Sequence, residues 1–416
     1  MSLICRPCAT ASALCLILAA ASPAAQAALS YADAQREAVA RSSGLIARAN
    51  AVEAAQASRI AAGRLPDPRL LFGLDNVPVT GPDRGSLTAD FMTMRRVGLM
   101  QDFPNANKRK ASEDAAEAAI ARATAERQLD SLMIRRAAAL AWSDRYYGEG
   151  RLTLIEAVTE ENRLLDVVVR AQIASGKANA LDILAVEQER AAIDDRRDEM
   201  EHEIHAAEAR LARYLGERAR EPLSGRPPLQ PASTDVADRL DQSPELRLFE
   251  PLRAMAQAEV HAADAAQRPD WGLEVSYAQR GAAYSNMVSV QISVDLPLFL
   301  STRQAPRLAA RRSDAARVDA EREDRRRELE ASLEESWAQY ADLRSRLRRA
   351  REITTALAHR RVDTALNEYR AGRIELQQVV AARREKVEAE LRALELEQRL
   401  SQVIIRLDTV IDEVLP

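Results

Sequence analysis

The chain is written twice, and this constrains its fold more than any single motif, because a long-period duplication means two copies of one supersecondary unit. Arg64-Leu65-Pro66-Asp67-Pro68-Arg69-Leu70 ends an Ala-rich stretch and opens an apolar segment; Gln267-Arg268-Pro269-Asp270-Trp271-Gly272-Leu273 does the same in the second half. Asp102-Phe103-Pro104 recurs as Asp295-Leu296-Pro297, Trp142 as Trp337, and Ala174-Ser175-Gly176-Lys177 as Arg370-Ala371-Gly372-Arg373. Asp102, Trp142 and Gly176 precede their counterparts by about 193 to 196 residues, a constancy chance rarely gives over several landmarks. A first repeat over 28–220 and a second over 234–416 follow. The linker, 221–233, is a stretch containing Pro, Gly and Ser where helical patterning lapses.

Each repeat reads as a helix, two strands, a very long helix and a returning helix. In the second repeat Val288, Val290, Ile292, Val294 and Leu296 alternate with Ser289, Gln291, Ser293 and Asp295, and Trp271, Leu273, Val275 and Tyr277 alternate with Gly272, Glu274, Ser276 and Ala278. Alternation of this kind makes one sheet face apolar and the other polar. The spacing predicts strands over about 271–279 and 287–296, joined by an exposed loop from Arg280 to Asn286. The first repeat is less regular. Its strands are expected over about 69–76 and 88–103, with Leu70, Phe72 and Leu74 on one side and Val97, Leu99 and Phe103 in the same outward register. Arg95 interrupts that register, so an embedded portion would start after it.

From Pro104 to Gly176 the chain is rich in Ala, Glu, Arg and Leu, and at about 1.5 Å per residue it could extend roughly 105 Å as a helix. Pro297 to Gly372 has a similar length. Gly148 and Gly150 are expected to break the first rod locally near its middle. The chain turns back at about 176–182 and 372–377. The returning helices would pack on the rods as coiled coils through Leu181, Leu184 and Ile193, or Leu376, Val379 and Val387.

Arg6, the apolar run Ala9 to Ala21 and Ala25-Gln26-Ala27 read as a signal peptide over 1–27. Cys5, Cys8 and Cys15 all fall inside it, so the mature chain would have no thiol for disulfides, metal ligation or catalysis. Ser12-Ala13-Leu14 before Cys15 favours ordinary cleavage over lipid anchoring. The mature part has no apolar run of about 18 residues, so any membrane crossing would be made by strands. The formal net charge of -4, with acids and bases interleaved, gives no sign of nucleic-acid binding.

Four strands cannot close a barrel, and an open sheet in lipid leaves unpaired edge amides at several kcal/mol each. Chains must then share one barrel. Two chains give eight strands, an interior filled by side chains; three give twelve, with room for a pore. The long helices would continue the barrel as a tube.

In its repeat order and its Gly-x-x-x-x-Leu-Asp-Ile-Leu hairpin end, the mature chain resembles the TolC family over essentially its whole length. Leu65-Pro66-Asp67-Pro68, Gly98-Leu99-Met100-Gln101-Asp102-Phe103-Pro104 and Lys108-Arg109 look like the heavy-metal efflux branch, of the CzcC and CusC kind. The resemblance implies a mainly α fold with a small β part and a homotrimer. Long helical hairpins would form a periplasmic α-barrel below a shared 12-stranded barrel in the outer membrane. It further implies an RND-type efflux system exporting heavy-metal cations such as copper and silver or cobalt, zinc and cadmium. The partners would be a periplasmic adaptor and an inner-membrane RND pump, with no cofactor and no catalysis. Gly176, Lys177, Gly372 and Arg373 fall at the family's adaptor-contacting hairpin ends. Asp182, with Gln377 as its counterpart, falls where the family can place a constricting acidic ring, which would favour cations; the other reading makes Asp182 a helix-start cap. Drug efflux and type I protein secretion are sibling functions on this fold, and a periplasmic coiled-coil scaffold or adaptor is the non-channel alternative.

Other chemistry has weaker sequence support. His202 and His205 have helical spacing without a third ligand and read as exposed histidines on an acidic face. Met92 and Met94 share a strand face near Met287 and could be soft-metal ligands, but Arg95 and Arg96 beside them would repel a cation. No phosphate loop, nucleophile elbow or triad signature is present, and no enzyme reading is supported.

Overall fold

The computed structural model describes residues 28–176 and 180–410. The expected signal peptide with its three cysteines lies outside these residues, as does Lys177.

The first repeat opens with β1 (Leu29–Ser30), α1 (Tyr31–Arg41) and α2 (Ser43–Ala61), followed by β2 (Arg69–Asp75) and β3 (Met94–Phe103). The long α3 (Ala106–Ala174) runs down and α4 (Ala180–Leu215) returns. A short β4 (Leu223–Ser224) in the linker pairs in parallel with β1. The second repeat contains α5 (Pro244–Arg247), α6 (Phe249–Ala265), β5 (Trp271–Gln279), β6 (Met287–Val294), α7 (Ala305–Arg349), α8 (Thr355–Arg370) and α9 (Leu376–Asp408). Strands β2, β3, β5 and β6 form one antiparallel sheet in that order, so the repeats meet at the β3–β5 seam and β2 and β6 are open edges.

Local chemistry explains where the rods start and stop. The Asn105 side chain accepts the Lys108 amide and caps α3. Gly176 and Gly372 end α3 and α8 with φ of 72° and 70°, left-handed values that glycine adopts without a Cβ clash. At the second turn Arg373 N–H donates to the Glu368 carbonyl and Gly372 N–H to the Tyr369 carbonyl, which satisfies two orphan acceptors in a Schellman arrangement.

The core is a series of clusters strung along the rods. Trp142, Leu29, Ala38, Ala138, Leu211 and Leu215 form one in the first repeat. Leu333, Leu343, Leu347, Leu396, Leu400 and Ile404 form its counterpart in the second. Val169, Val186, Leu376, Val379 and Val380 join the two hairpins near their ends. No helix among the described residues is long and apolar enough to cross a membrane, a statement about helices alone.

Three expectations need correction. First, α3 is unbroken over its 69 residues. Gly148 faces Ile204, whose Cγ1 would lie 2.9 Å from an added Cβ, so this glycine permits close approach of α4 and does not interrupt the helix. The irregularity is in the second rod, as π-helical turns at Leu300–Gln304 and Ala350–Thr354. Second, β3 starts at Met94, not near residue 88, because its ladder with β2 ends at the Asp75–Met94 pair and the residues before have no partner strand. Third, Ile193, Leu376, Val379 and Val387 are buried, but Leu181 and Leu184 are 62% and 57% exposed. The packed stripe of α4 runs instead through Ile183, Val186 and Ile193, and Leu181 and Leu184 lie on its opposite flank.

Candidate channel wall and hairpin ends

Strand register turns the alternation into a surface. Leu70, Leu99, Val275 and Val290 are direct neighbours across all four strands, and so are Phe72, Val97, Tyr277 and Val288. Leu273–Ile292 and Phe103–Trp271–Val294 extend the face towards the helices. Most of these side chains are exposed, Phe72 at 75%, with Leu273 and Phe103 half-buried, although they are among the most apolar in the chain. A contiguous apolar sheet face marks a partner or a lipid surface. From Val97 to Phe103 the apolar residues of β3 span roughly 20 Å along the strand, or about 16 Å of height at a 40° tilt, a large part of the roughly 25 Å apolar band of outer-membrane barrels. Phe103 stacks on Trp271 at 4.2 Å at its lower margin, and Phe72 and Tyr277 lie near its upper one, the placement of interfacial aromatic girdles.

The opposite face is polar and small. Gly98, Ser276 and Ser289 form one row across β3, β5 and β6. Arg96 lies between Asp75 and Glu274, at 3.3 and 3.4 Å, and ties three strands together on this side. Arg69 pairs with Asp102 at 2.7 Å. The sequence reading missed this network, yet the parity that marks the outward face also places these charges inward.

Above the sheet, the loop over 76–93 and the loop over 280–286 clasp each other. The Arg280 guanidinium donates to the Phe91 carbonyl and lies 5.2 Å from the Tyr284 ring centre. Gly281 passes so close to the Thr88 carbonyl that a Cβ would be 2.0 Å from its oxygen. Arg95, expected to mark the embedded boundary, sits level with Leu74 and Gln279 and donates to the Arg280 carbonyl.

Below the sheet, Asp270 accepts from the Asn105 amide, the Asn105 side chain and Lys108 Nζ. Desolvation opposes ionisation of Asp270, but the Lys108 and Asn105 donors outweigh it and hold the carboxyl below its usual range.

At the far end the hairpins lie together, and Tyr369 Oη donates to Gln172 Oε1 at 2.7 Å. Gly176 and Gly372 are both exposed at the turns, and Arg373 pairs with Glu368 at 3.2 Å. Asp182 is half-buried in the first turn of α4, and its counterpart Gln377 is exposed at the start of α9.

The weaker candidates are dispersed. Met92 precedes β3, while Met94 and Met287 share the polar face of the sheet. His202 is exposed beside a cleft of about 750 Å³ between α3, α4 and α9, and His205 contacts Glu208. Among the described residues no group of three or more His, Cys, Asp or Glu is placed to hold a metal ion.

A sheet with an exposed apolar face, continued by paired long helical hairpins, is a TolC-like fold. Solved structures share it. The chain is similar to CusC, studied for transmembrane channel formation (TM-score 0.76, 16% identity, 92% of this chain and 91% of that one). It is also similar to a membrane protein from Pseudomonas aeruginosa (0.79, 16%, 92% and 93%) and to the outer membrane protein VceC of Vibrio cholerae (0.75, 18%, 92% and 94%). At these identities the likeness concerns the fold. Within the second repeat, residues 236–412 match the outer membrane efflux protein family. No curated protein matches the chain in sequence.

Proposed function

We propose that the protein is the exit duct of a tripartite efflux system, a trimer whose three sheets close a 12-stranded barrel in the outer membrane while the helices form a periplasmic tube. The sheet carries this reading: its apolar face is contiguous across four strands, its other face carries the charged and small residues, and its two edges lack partners among the described residues. The family match over 236–412 supports efflux as the task. The duct has no reaction of its own and works with a periplasmic adaptor and an inner-membrane pump.

The hairpin ends at Gly176, Lys177, Gly372 and Arg373 are the proposed adaptor contact, and Asp182 is a pore-constricting carboxylate with Gln377 as its neutral counterpart. One Asp per chain would give a ring of three, a modest preference for cations. Heavy-metal cations are the proposed cargo, on the resemblance of the Leu65-Pro66-Asp67-Pro68 and Gly98 to Pro104 segments.

Sucrose-gradient fractionation, detergent extraction and mass determination test the assembly. A detergent-dependent trimer in the outer-membrane fraction is expected, and a water-soluble monomer or dimer would overturn the channel reading. In planar bilayers Asp182→Asn should reduce cation preference; an unchanged reversal potential removes Asp182 from the constriction.

A further inference from the structure

The internal duplication contains a template for how one copy meets the next. Within the chain, the last strand of the first repeat, β3, pairs with the first strand of the second, β5. Between copies, the equivalent pairing sets the last strand of the second repeat, β6, against the first strand of another copy's first repeat, β2. These are the two open edges of the sheet. From this correspondence, which rests on the shared-barrel reading, we infer that β6 docks on β2 of a second copy in one register, with Asp295 opposite Arg69, Val294 opposite Leu70, Ile292 opposite Phe72 and Val290 opposite Leu74.

The register follows by transfer. Asp102 pairs with Gly272, two residues after Asp270; the counterpart of Asp102 is Asp295, and two residues after Asp67 stands Arg69. The pairs Gln101–Leu273, Leu99–Val275 and Val97–Tyr277 transfer in the same way to Val294–Leu70, Ile292–Phe72 and Val290–Leu74.

Three features outside the transfer agree with it. Apolar rows meet apolar rows, so the lipid face continues across the seam; a slip of one residue would turn them inward. Asp295, on the polar face, meets Arg69, whose guanidinium holds Asp102 and has further N–H donors for a second carboxylate. The third lies just below the strands. Inside the chain, the Asn105 side chain donates to the Ala265 and Arg268 carbonyls. At the open edges the counterparts of Asn105, Ala265 and Arg268 are Leu298, Ala62 and Leu65, so the same docking would set the apolar Leu298 beside Leu65. Leu298 and Phe299 are 76% and 66% exposed in the single chain, and this contact would cover Leu298.

Disulfide trapping tests the register, because residues 28–416 contain no cysteine. Directly opposed residues lie about 4.5–5.5 Å apart between Cα atoms, within disulfide reach. Within one chain, β2 and β6 are separated by two strands, roughly 14 Å across the sheet, so a link between them must join two copies. Ile292→Cys with Phe72→Cys, oxidised in isolated outer membranes, should give covalent dimers and trimers on non-reducing gels, and Val294→Cys with Leu70→Cys should do the same. Val290→Cys with Phe72→Cys, a diagonal pair at about 7–8 Å, should link far less. A reversed pattern overturns the register. Failure of both direct pairs in a protein that still extracts as a trimer places the seam elsewhere. Loss of the trimer in the unsubstituted protein would instead refute the shared barrel.

Discussion

Trp142 and Trp337 occupy corresponding places in the two repeats, and their surroundings differ. Trp142 is fully buried, with the Tyr31 ring edge-on at 5.5 Å, the Tyr146 ring stacked at 5.5 Å and the indole N–H donating to the Leu29 carbonyl. Trp337 is half-buried beside Tyr340. Six residues beyond each Trp the contrast reverses: the first repeat has Gly148 tight against Ile204, and the second has the buried Leu343. The first repeat seals its node with an aromatic anchor and a close helix approach, the second mainly with leucines such as Leu333, Leu343 and Leu347. A duplicated plan therefore tolerates two packing solutions, provided each fills its volume.

Replacing the anchors measures that difference most directly. Trp142→Ala should destabilise the protein by about 3–5 kcal/mol, since removing a fully buried aromatic leaves a cavity. Trp337→Ala should cost only about 1–2 kcal/mol, because part of its surface already faces solvent. Denaturant unfolding in detergent would show this, and equal losses would mean that the two nodes are energetically equivalent.

A smaller effect separates two glycines of one helix turn. Gly148→Ala forces a Cβ to within 2.9 Å of Ile204 and should cost about 1–3 kcal/mol. Gly150→Ala meets nothing within 4 Å and should stabilise by up to about 1 kcal/mol through helix propensity. Opposite signs in melting temperature are expected; two stabilising changes would show that α3 and α4 have room at Gly148.

These glycines also show where sequence was legible and where it was not. The repeat, the alternation in β5 and β6 and the turns at Gly176 and Gly372 could be read because each depends on local pattern or on one backbone conformation. Gly148 looked like a break because its reason lies on another helix, 56 residues away at Ile204. Leu181 and Leu184 fit a coiled-coil stripe as well as Ile183 and Val186 do, and a helix apolar on two flanks does not announce which flank its own partner covers. The early start assigned to β3 overlooked that a strand needs a partner, and β2 supplies none beyond Asp75. At the hairpin ends, Asp182 and Gln377 could be located from the repeat alone, but a constriction depends on neighbouring copies and leaves no local pattern.

The closed seam between the repeats offers the smallest and most specific test. Lys108 and Asn105 hold Asp270 ionised at the base of β3–β5; their counterparts in the repeat, Ser301 and Leu298, carry no charge. Because the folded Asp270 carboxyl lies below its unfolded value of about 3.9, its contribution is present above that pH and is lost as pH falls through the folded value. The pair is partly exposed, so the contribution should be about 1 kcal/mol or less. Lys108→Ala should therefore lower stability slightly at neutral pH and flatten its decline as pH falls below about 5. A parallel decline in both proteins would mean that Lys108 does not set the charge of Asp270, and that the closed seam is held by the Asn105 bonds and strand pairing alone.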